Sequence, residues 1–409
     1  MRAGDRSDTR TVRTFTIAEQ RNRLARRHFL SRSDEPPITQ VIGGLVGLHA
    51  TDPATPYLSL WARCPGFMTA DLERELYQNR SAVRHLAMRR TLWLVRSDDL
   101  PLIQAASSNR VAANERRRLA ADVCKAGVAA DGDRWLDRAC SAVLRHLCDN
   151  GPASSTELRA ALPELAGMYD PAPGKRWGGA APLAPRVLTV LSARGDIVRG
   201  PNDGTWTTSR PRWTTTTDWL TDLSPRPPDR EARAELTRRW LATFGPATAV
   251  DVKWWLGTTL TAARQALADI GAVAVDLHHS PGYALPDELD PEPEAPPCAA
   301  LLPGLDATTM GWFQRDWYLG EHRAQLFDRS GNAGPTAWWN GRVVGGWYQD
   351  DGARVRLQLL EEPGRDGRRA LQRRAGDLTS WLDGVRINPR FPSPLSKAGA
   401  EPGSRGRET

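Results

Sequence analysis

Lysine is nearly absent from this chain of 409 residues. It occurs only at positions 125, 175, 253 and 397, so arginine supplies almost all of the 55 basic side chains behind a net charge of +7. A basic surface favours nucleic acid or another anionic partner, and the planar guanidinium suits phosphates and base edges. Because a GC-rich genome would produce the same arginine bias, the charge alone does not identify the partner.

Cysteine and histidine are scarce and carry no metal-binding pattern. The five cysteines are scattered and form no C-x-x-C pair, which excludes a disulfide framework and a zinc site and indicates a reducing compartment. The seven histidines lack metal-ligand spacing. There is no secretory signal and no apolar run of about 18 residues. We therefore expect a soluble cytoplasmic protein without metal or cofactor.

An internal repeat is the strongest indication of architecture. Residues 151–158 recur in similar form as residues 245–252. In each copy an amphipathic helix precedes a Gly-Pro pair, and a Ser or Thr can then close a capping box with an acid three residues later. A third helix and a Gly-plus-strand segment follow, which is the order of a winged helix-turn-helix. The first 125 residues have a comparable order.

The sequence therefore predicts an α+β, mainly helical fold with three tandem winged helix-turn-helix units and a small C-terminal β-rich domain. The predicted divisions are a flexible arm (1–14), three winged helices (15–125, 126–223 and 229–282), a Pro-rich acidic linker (283–297), the β-rich domain (298–385) and a disordered tail (386–409). Within the β-rich domain, the Asn340-Gly341 pair between two apolar segments predicts a hairpin.

One polar segment between two predicted helices, roughly 38–48 and 57–63, is the candidate active site. His49, Thr51 and Asp52 place an imidazole, a hydroxyl and a carboxylate in this short stretch. A structural interpretation is also open, because Asp52-Pro53 and Thr55-Pro56 are ordinary helix starts in which a capping oxygen precedes proline.

Three stretches resemble the AlkZ-like winged-helix DNA glycosylases. Residues 48–63, with LHATDP, PY and LWAR, resemble that family's L-Q-A-Q-x-P, PY and LWAR. Residues 88–93, MRRTLW, resemble its M-R-G-T-L-H. Residues 301–319, with LLPGLD, GW and RDWYL, resemble its C-terminal domain. In the family's order, these stretches cover much of the chain.

The resemblance implies three winged helices and a β-domain around double-stranded DNA. It implies a monomeric, metal-free enzyme that hydrolyses the N-glycosidic bond of N7-alkylated purines, including bulky adducts and interstrand crosslinks. Such an enzyme serves DNA repair or self-resistance to a genotoxic natural product. Two polar residues that flank a hydrophobic one hold the attacking water; they are two glutamines in AlkZ-like members, and glutamine and aspartate in the YcaQ-like branch.

This chain departs from both motifs. His49 and Thr51 occupy the water-holding positions, and Arg90 and Trp93 replace the glycine and the histidine of the second motif. An N7-alkylated purine is already cationic, so its departure needs little acid assistance. We hypothesise that His49 is the base that positions water, that Thr51 is a second water ligand and that Asp52 supplies negative charge near the sugar.

Six arginines are candidate contacts to the DNA backbone, and each could equally be an ordinary solvated side chain. They are Arg89, Arg90, Arg186, Arg264, Arg315 and Arg342. Two other functions stay open: a catalytically inactive DNA-binding protein on the same scaffold, acting as a regulator or a lesion binder, and a protein-interaction module. Steep weakening by salt would distinguish DNA binding from the latter.

Overall fold

The computed structural model describes residues 13–31, 35–175, 178–278 and 280–400, with the backbone alone for 398–400. Helices and small antiparallel sheets alternate along the chain, which confirms the α+β prediction. Most of the predicted arm lies outside the described residues, and Thr14 at its end forms a β-bridge with Asp276. Within the described ranges, no helix is both long enough and apolar enough to cross a membrane.

The first part of the chain combines short helices with a three-stranded sheet. Its elements are α1 (Ile17–Arg27), α2 (Ile38–Gly44), β1 (Leu48–His49), α3 (Thr55–Trp61), α4 (Thr69–Glu73), β2 (Ala82–Ala87), β3 (Thr91–Arg96), α5 (Leu100–Ile103) and α6 (Asn109–Lys125). The strand order is β1-β3-β2, with antiparallel pairs. A reciprocal capping box between Thr16 and Glu19 begins α1.

The next two units repeat a helix–helix–helix–hairpin order. The first consists of α7 (Gly132–Asn150), α8 (Ser155–Ala161), β4 (Met168–Tyr169), β5 (Ala181–Pro182), α9 (Ala184–Arg194), β6 (Ile197–Asn202), β7 (Pro211–Thr215) and α10 (Thr216–Trp219). The second consists of α11 (Asp229–Phe244), α12 (Ala249–Leu256), α13 (Leu260–Asp269), β8 (Val273–Asp276) and β9 (Pro281–Ala284). The second strand of the first hairpin begins at Pro211.

Equivalent contacts relate the two copies of the repeat. Both capping boxes form, with Ser154 and Thr248 as the capping residues. Ala153, which follows the first Gly-Pro pair, forms a bridge with Trp213 on β7. In the second copy, Ala247 forms the corresponding bridge with the second hairpin strand. The sequence repeat is therefore also a structural repeat.

The C-terminal part contains a sheet and a long helix. Its elements are β10 (Ala299–Leu302), α14 (Asp316–Leu319), α15 (Arg323–Leu326), β11 (Thr336–Trp339), β12 (Arg342–Gln349), β13 (Val355–Leu359), α16 (Gly364–Leu382) and α17 (Pro394–Ala400). The strand order is β10-β11-β12-β13. Asn340 and Gly341 have φ of 48° and 74°, as a two-residue hairpin turn requires, so that prediction is confirmed. The 19-residue α16 makes this part less purely β than predicted.

Two segments predicted to lack regular structure have it. The predicted linker begins within the last two residues of β9. Its acidic residues Glu288 and Glu292 form ion pairs with Arg27 of α1, which fix it to the first unit. The predicted disordered tail contains α17, whose Leu395 is buried against the C-terminal sheet. In both segments, contacts with residues distant in the sequence stabilise the regular structure, and local composition does not reveal such contacts.

The C-terminal sheet shares its core with the first unit. One hydrophobic cluster joins residues of α2 and α3 to β11, β12 and α16. Beside it, Arg63 and Asp306 form a fully buried ion pair at 2.7 Å. Ser59 Oγ donates to Asp306 at 2.6 Å, and Arg63 donates to Thr308 Oγ1 at 2.8 Å and to His28 O at 3.0 Å, which offsets the cost of burying the two charges. The segment that carries His49 is thus held between two parts of the molecule.

Candidate active site

His49 lies on a short edge strand instead of at the predicted junction of two helices. α2 ends at Gly44, because Val46 and Gly47 adopt φ of 53° and 103° and turn the chain. Leu48 and His49 then pair with Leu94 and Trp93 of β3. The prediction that the helix continues to residue 48 is therefore wrong, and the imidazole is carried by a sheet.

The His49 ring is enclosed by aromatic and cationic side chains. Residues directly opposite one another share a sheet face, and the ring centroids of His49 and Trp93 are 4.1 Å apart. The Arg89 guanidinium lies 3.1 Å from Nε2 of His49. Only 2% of His49 is exposed. Burial, and then the charge of Arg89, lower the pKa of His49 well below its usual range, so the ring is neutral at physiological pH.

The contact with Arg89 determines which ring nitrogen of His49 carries the proton. A guanidinium has donors and no acceptor, so Arg89 donates and Nε2 of His49 accepts. A neutral imidazole that accepts at Nε2 carries its proton on Nδ1. Nδ1 is buried and has no hydrogen-bond partner among the described residues. His49 therefore presents an unsatisfied N–H donor, whereas the predicted base role requires a free lone pair.

Unusual backbone geometry brings Arg89 to this position. Arg89 and Arg90 have φ of 55° and 59°, in the left-handed region that non-glycine residues rarely occupy. Gly257, at the end of α12, lies against the Arg89 backbone, where a Cβ would approach its nitrogen to 3.1 Å. The Arg89 guanidinium lies over Trp254, 3.9 Å from the ring centroid. Burial, and then Arg315, lower the pKa of Arg89 to about 9, which still leaves it protonated at neutral pH.

Thr51 follows on the same side of the chain as His49. The segment continues beside β3, since Ala50 N–H donates to Leu92 O at 2.8 Å. Leu92 N–H also donates to Thr51 Oγ1 at the longer distance of 3.4 Å. Residues two apart on an extended chain face the same side, so the structure is consistent with His49 and Thr51 acting together. Unlike His49, Thr51 is partly exposed.

Asp52 has different partners. Its carboxylate accepts from Ala54 N–H at 3.1 Å and from Arg390 N–H at 2.9 Å, which ties the end of the candidate site to the segment after α16. Burial raises the pKa of Asp52, while the backbone donors and the Arg390 charge oppose that rise. No hydrogen bond joins Asp52 to His49 or Thr51 among the described residues. His49 and Thr51 thus lie on one side of an extended segment, whereas Asp52 turns to other partners.

The predicted DNA contacts fall into several environments. Arg90 and Arg186 line one cavity of about 510 Å³, where Arg90 pairs with Glu115 at 2.7 Å and Arg186 pairs with Asp122 at 2.6 Å. Arg264 is exposed on α13. Arg90 and Arg264 are exposed and Arg186 is partly exposed.

Arg315 and Arg342 are more constrained. Arg315 is 3% exposed and donates to Trp312 O at 2.5 Å, so as it stands its guanidinium does not meet solvent. Arg342 pairs with Glu361 at 2.8 Å. The Arg89 guanidinium donates to His49 Nε2, as described above. Direct phosphate contact by Arg315 would require this side chain to leave the interior.

An exposed aromatic pair adjoins the candidate site. Trp254 is partly exposed, whereas the adjacent Trp255 is buried. Phe313 is 46% exposed, and its ring centroid lies 6.4 Å from that of Trp254. The contacts therefore run from His49 through Arg89 and Trp254 to Phe313. No sequence signal identified Phe313, because its exposure depends on packing against α12.

Comparison with known proteins identifies the class. The family model described as DNA glycosylase AlkZ-like matches residues 42–381. Since the match covers most of the chain, this protein belongs to the AlkZ-like DNA glycosylase family.

Two individual proteins are similar to it. The interstrand DNA cross-link repair glycosylase of Streptomyces sahachiroi is 29% identical over 171 residues, which cover 39% of this chain and 45% of that protein. The solved structure of Streptomyces sahachiroi DNA glycosylase AlkZ superposes with a TM-score of 0.71 at 22% identity, covering 92% of this chain and 99% of the other. This structural likeness shows a shared fold.

Proposed function

We propose that this protein is a DNA glycosylase that hydrolyses the N-glycosidic bond of bulky N7-alkylpurine adducts or interstrand crosslinks in double-stranded DNA. Membership of the AlkZ-like family supports the reaction class. The substrate class is supported by the name of the Streptomyces sahachiroi relative, an interstrand DNA cross-link repair glycosylase. We further propose that it acts on nucleoid DNA in the cytoplasm, in repair or in self-resistance to a genotoxic natural product.

We infer that the three helix-and-hairpin units are winged helices that hold the duplex. The recurring capping boxes and the matching bridges of Ala153 and Ala247 support this inference for the second and third units. Exposed Arg264 lies on the third helix of its unit, the position from which helix-turn-helix proteins reach DNA. Arg90 and Arg186 contribute positive charge between the first and second units.

The contact between Arg89 and His49 is the observation that carries the mechanism. It makes Nδ1–H of His49 a buried donor with no partner in the described part of the chain, and such a group costs about 1–3 kcal/mol unless an acceptor is supplied. We propose that the oxygen of the attacking water is that acceptor. Thr51 Oγ1 then accepts a hydrogen bond from the same water, so the two side chains fix its orientation without either acting as a strong base.

This arrangement suits a substrate whose leaving group is already cationic. The C1′–N9 bond breaks, and its electron pair moves into the purine, which neutralises the charge introduced by N7 alkylation. The water oxygen forms a bond to C1′, and the proton that it loses passes to solvent. Asp52 contributes negative charge near the sugar while its carboxylate is ionised, and its two backbone donors favour that form.

The test uses a duplex with a single bulky N7-alkylguanine, followed by alkali, which cleaves the strand at abasic sites. The wild-type protein should give strand cleavage. Because the attacking water would lose one of the two groups that orient it, His49→Ala should lower the rate about 100-fold while leaving affinity for the duplex unchanged. His85→Gln is the control, since His85 lies opposite Trp93 in the same sheet but bonds to Ser108 instead. An active His49→Ala enzyme would remove His49 from the mechanism.

Non-catalytic DNA binding is the second candidate, and the 2% exposure of His49 favours it. In that case the adducted duplex is bound and protected but no alkali-labile site forms. Binding should weaken steeply with salt under either function, whereas a protein-interaction module would show no such dependence.

A further inference from the structure

Trp254 and Phe313 form an aromatic surface beside the candidate active site. Phe313 is exposed and Trp254 is partly exposed, and their ring centroids lie 6.4 Å apart. Val250 lies one turn before Trp254 on the same face of α12 and is exposed as well. Exposed apolar side chains that lie together mark interaction sites, whereas those scattered singly need no explanation. The aromatic surface therefore calls for a ligand.

Both rings of the aromatic surface are held in place from within the protein. The buried Asp251 carboxylate on α12 accepts from the backbone N–H of Phe313 at 2.9 Å, which fixes the loop that carries this ring to the helix that carries Trp254. The guanidinium groups of Arg89 and Arg315 lie 3.9 and 5.0 Å from the Trp254 ring centroid. Because the rings are already ordered, a ligand that stacks on them loses little affinity to immobilising them.

The aromatic surface is within reach of a group attached to the damaged base. Arg89 donates to His49 Nε2 at 3.1 Å and lies over Trp254, so the centre of the Trp254 ring is no more than about 9 Å from that nitrogen. In a purine, N7 belongs to the same five-membered ring as the glycosidic N9. A substituent on N7 therefore starts close to the bond that breaks, and a bulky planar substituent spans the distance to Trp254.

The groove position of N7 favours the substituent over a neighbouring base as the ligand. N7 of guanine faces the major groove, so a group attached there projects from the base stack and can be contacted without unstacking other bases. A neighbouring base would first have to leave the stack, which costs free energy. Because Arg89 and Arg315 place two cations at Trp254, a neutral ring is favoured over a cationic one.

We propose that Trp254 and Phe313 stack on a neutral planar aromatic group attached to N7 of the damaged purine, and that this contact selects bulky planar adducts over small alkyl groups. The assignment rests on the proposed function, because it names the adduct on which the same site acts. Stacking on an aromatic side chain is worth about tenfold in affinity for each planar ring. The contact is present before and after the bond breaks, so it acts on substrate binding and not on the maximal rate.

The test compares single-turnover excision from two duplexes that differ only in the N7 substituent of one guanine, methyl in one and naphthylmethyl in the other. Spontaneous depurination, measured without protein, is subtracted. In Phe313→Ala, the protein concentration that gives half the maximal rate should rise about tenfold with the naphthylmethyl duplex and much less with the methyl duplex, at a similar maximal rate. Phe313→Tyr keeps the ring and should behave like the wild type.

Met168→Ala is the matched control, because Met168 is also an exposed apolar side chain but lies on β4 in the second unit. It should leave the ratio between the two duplexes unchanged. An equal loss with both duplexes in Phe313→Ala would overturn the proposal, since the contact would then be with a part of DNA common to both, such as a neighbouring base. A lower maximal rate with both duplexes would also overturn it, because Phe313 would then act through Trp254 and Arg89 on His49.

Failure of the proposed function is distinguishable from failure of the aromatic surface. Fluorescence anisotropy with the same two duplexes measures equilibrium binding and needs no bond cleavage. If the wild type forms no abasic sites but binds the naphthylmethyl duplex more tightly, and Phe313→Ala removes that preference, the aromatic surface is retained and the enzyme is rejected. Normal excision, combined with the same half-maximal concentrations in the wild type and Phe313→Ala, would retain the enzyme and reject the aromatic surface.

Discussion

His49 and Trp93 face each other across β1 and β3, with ring centroids 4.1 Å apart. These are two of the positions at which this chain departs from the motifs that it resembles, where glutamine and histidine are usual. Because the two departures are in contact, the indole that replaces one motif residue supports the imidazole that replaces the other. The two departures from the motifs are therefore in direct contact with each other.

Energetic coupling between the two rings follows from this contact. His49→Gln and Trp93→His should each lower the free energy of unfolding, and the double variant should lose about 0.5–1.5 kcal/mol less than the sum of the two. Urea denaturation of the four proteins measures the coupling. A control cycle pairs His49→Gln with His322→Gln, which bonds to Glu361 in the C-terminal part and should be additive. Additivity in the first cycle would mean that the rings pack without supporting each other.

The protonation state of His49 makes a separate prediction about pH. Because burial and Arg89 hold its pKa well below the usual range, the ring stays neutral as the pH falls through about 6.5. Single-turnover excision should therefore be nearly constant between about pH 5.5 and 8, whereas a base with an ordinary histidine pKa would lose activity below about 6.5. Arg89→Gln serves as the comparison, since it removes the nearest charge. A wild-type profile with a midpoint near 6.5 would restore the base role to His49.

Local patterns were sufficient to predict much of the fold but not the surroundings of His49. Capping residues and the Asn340-Gly341 turn act over a few residues, so the helix starts and this hairpin could be predicted. The short strand at Leu48 exists because β3 pairs with it, and that partner is more than forty residues away. Arg89 is placed by a left-handed backbone and by packing against α12. Neither long-range strand pairing nor left-handed backbone geometry produces a periodic pattern in the sequence, so the surroundings of His49 could not be predicted from it.

The strained backbone at Arg90 should make glycine unusually acceptable there. This residue has φ of 59°, and the motif that it resembles has glycine at the same position. A non-glycine residue in the left-handed conformation costs about 1–2 kcal/mol relative to the right-handed conformation. In the interior of a right-handed helix the preference is reversed, and glycine costs about 1 kcal/mol relative to alanine. Arg90→Gly also removes the ion pair with Glu115, so the gain from relieved strain and this loss should nearly cancel and leave the free energy of unfolding about unchanged. Arg138→Gly, at an exposed position on α7, should lower it by about 1 kcal/mol. Equal losses in both variants, measured by urea denaturation, would contradict the inferred strain at Arg90.

Acid should destabilise the folded protein through three buried histidines. Burial lowers the pKa of His28 to about 3 and that of His85 to about 4, and His49 is lowered as well. The unfolded chain binds these protons below about pH 6.5 while the folded protein does not, so stability is lost as the pH falls. His28 and His85 should each cost about 2 kcal/mol of stability at about pH 5 relative to neutral pH, and His49 acts in the same direction.

Chemical denaturation at about pH 7.5 and 5 tests this loss for a single residue. In His85→Gln, the difference in unfolding free energy between the two pH values should be about 2 kcal/mol smaller than in the wild type. Comparing each protein with itself removes any cost of the substitution that does not depend on pH. His146→Gln, on the partly exposed face of α7, provides the control and should leave the difference nearly as in the wild type. An unchanged difference in His85→Gln would show that the buried ring accepts a proton in the folded state, which its enclosure between β2 and Ser108 should prevent.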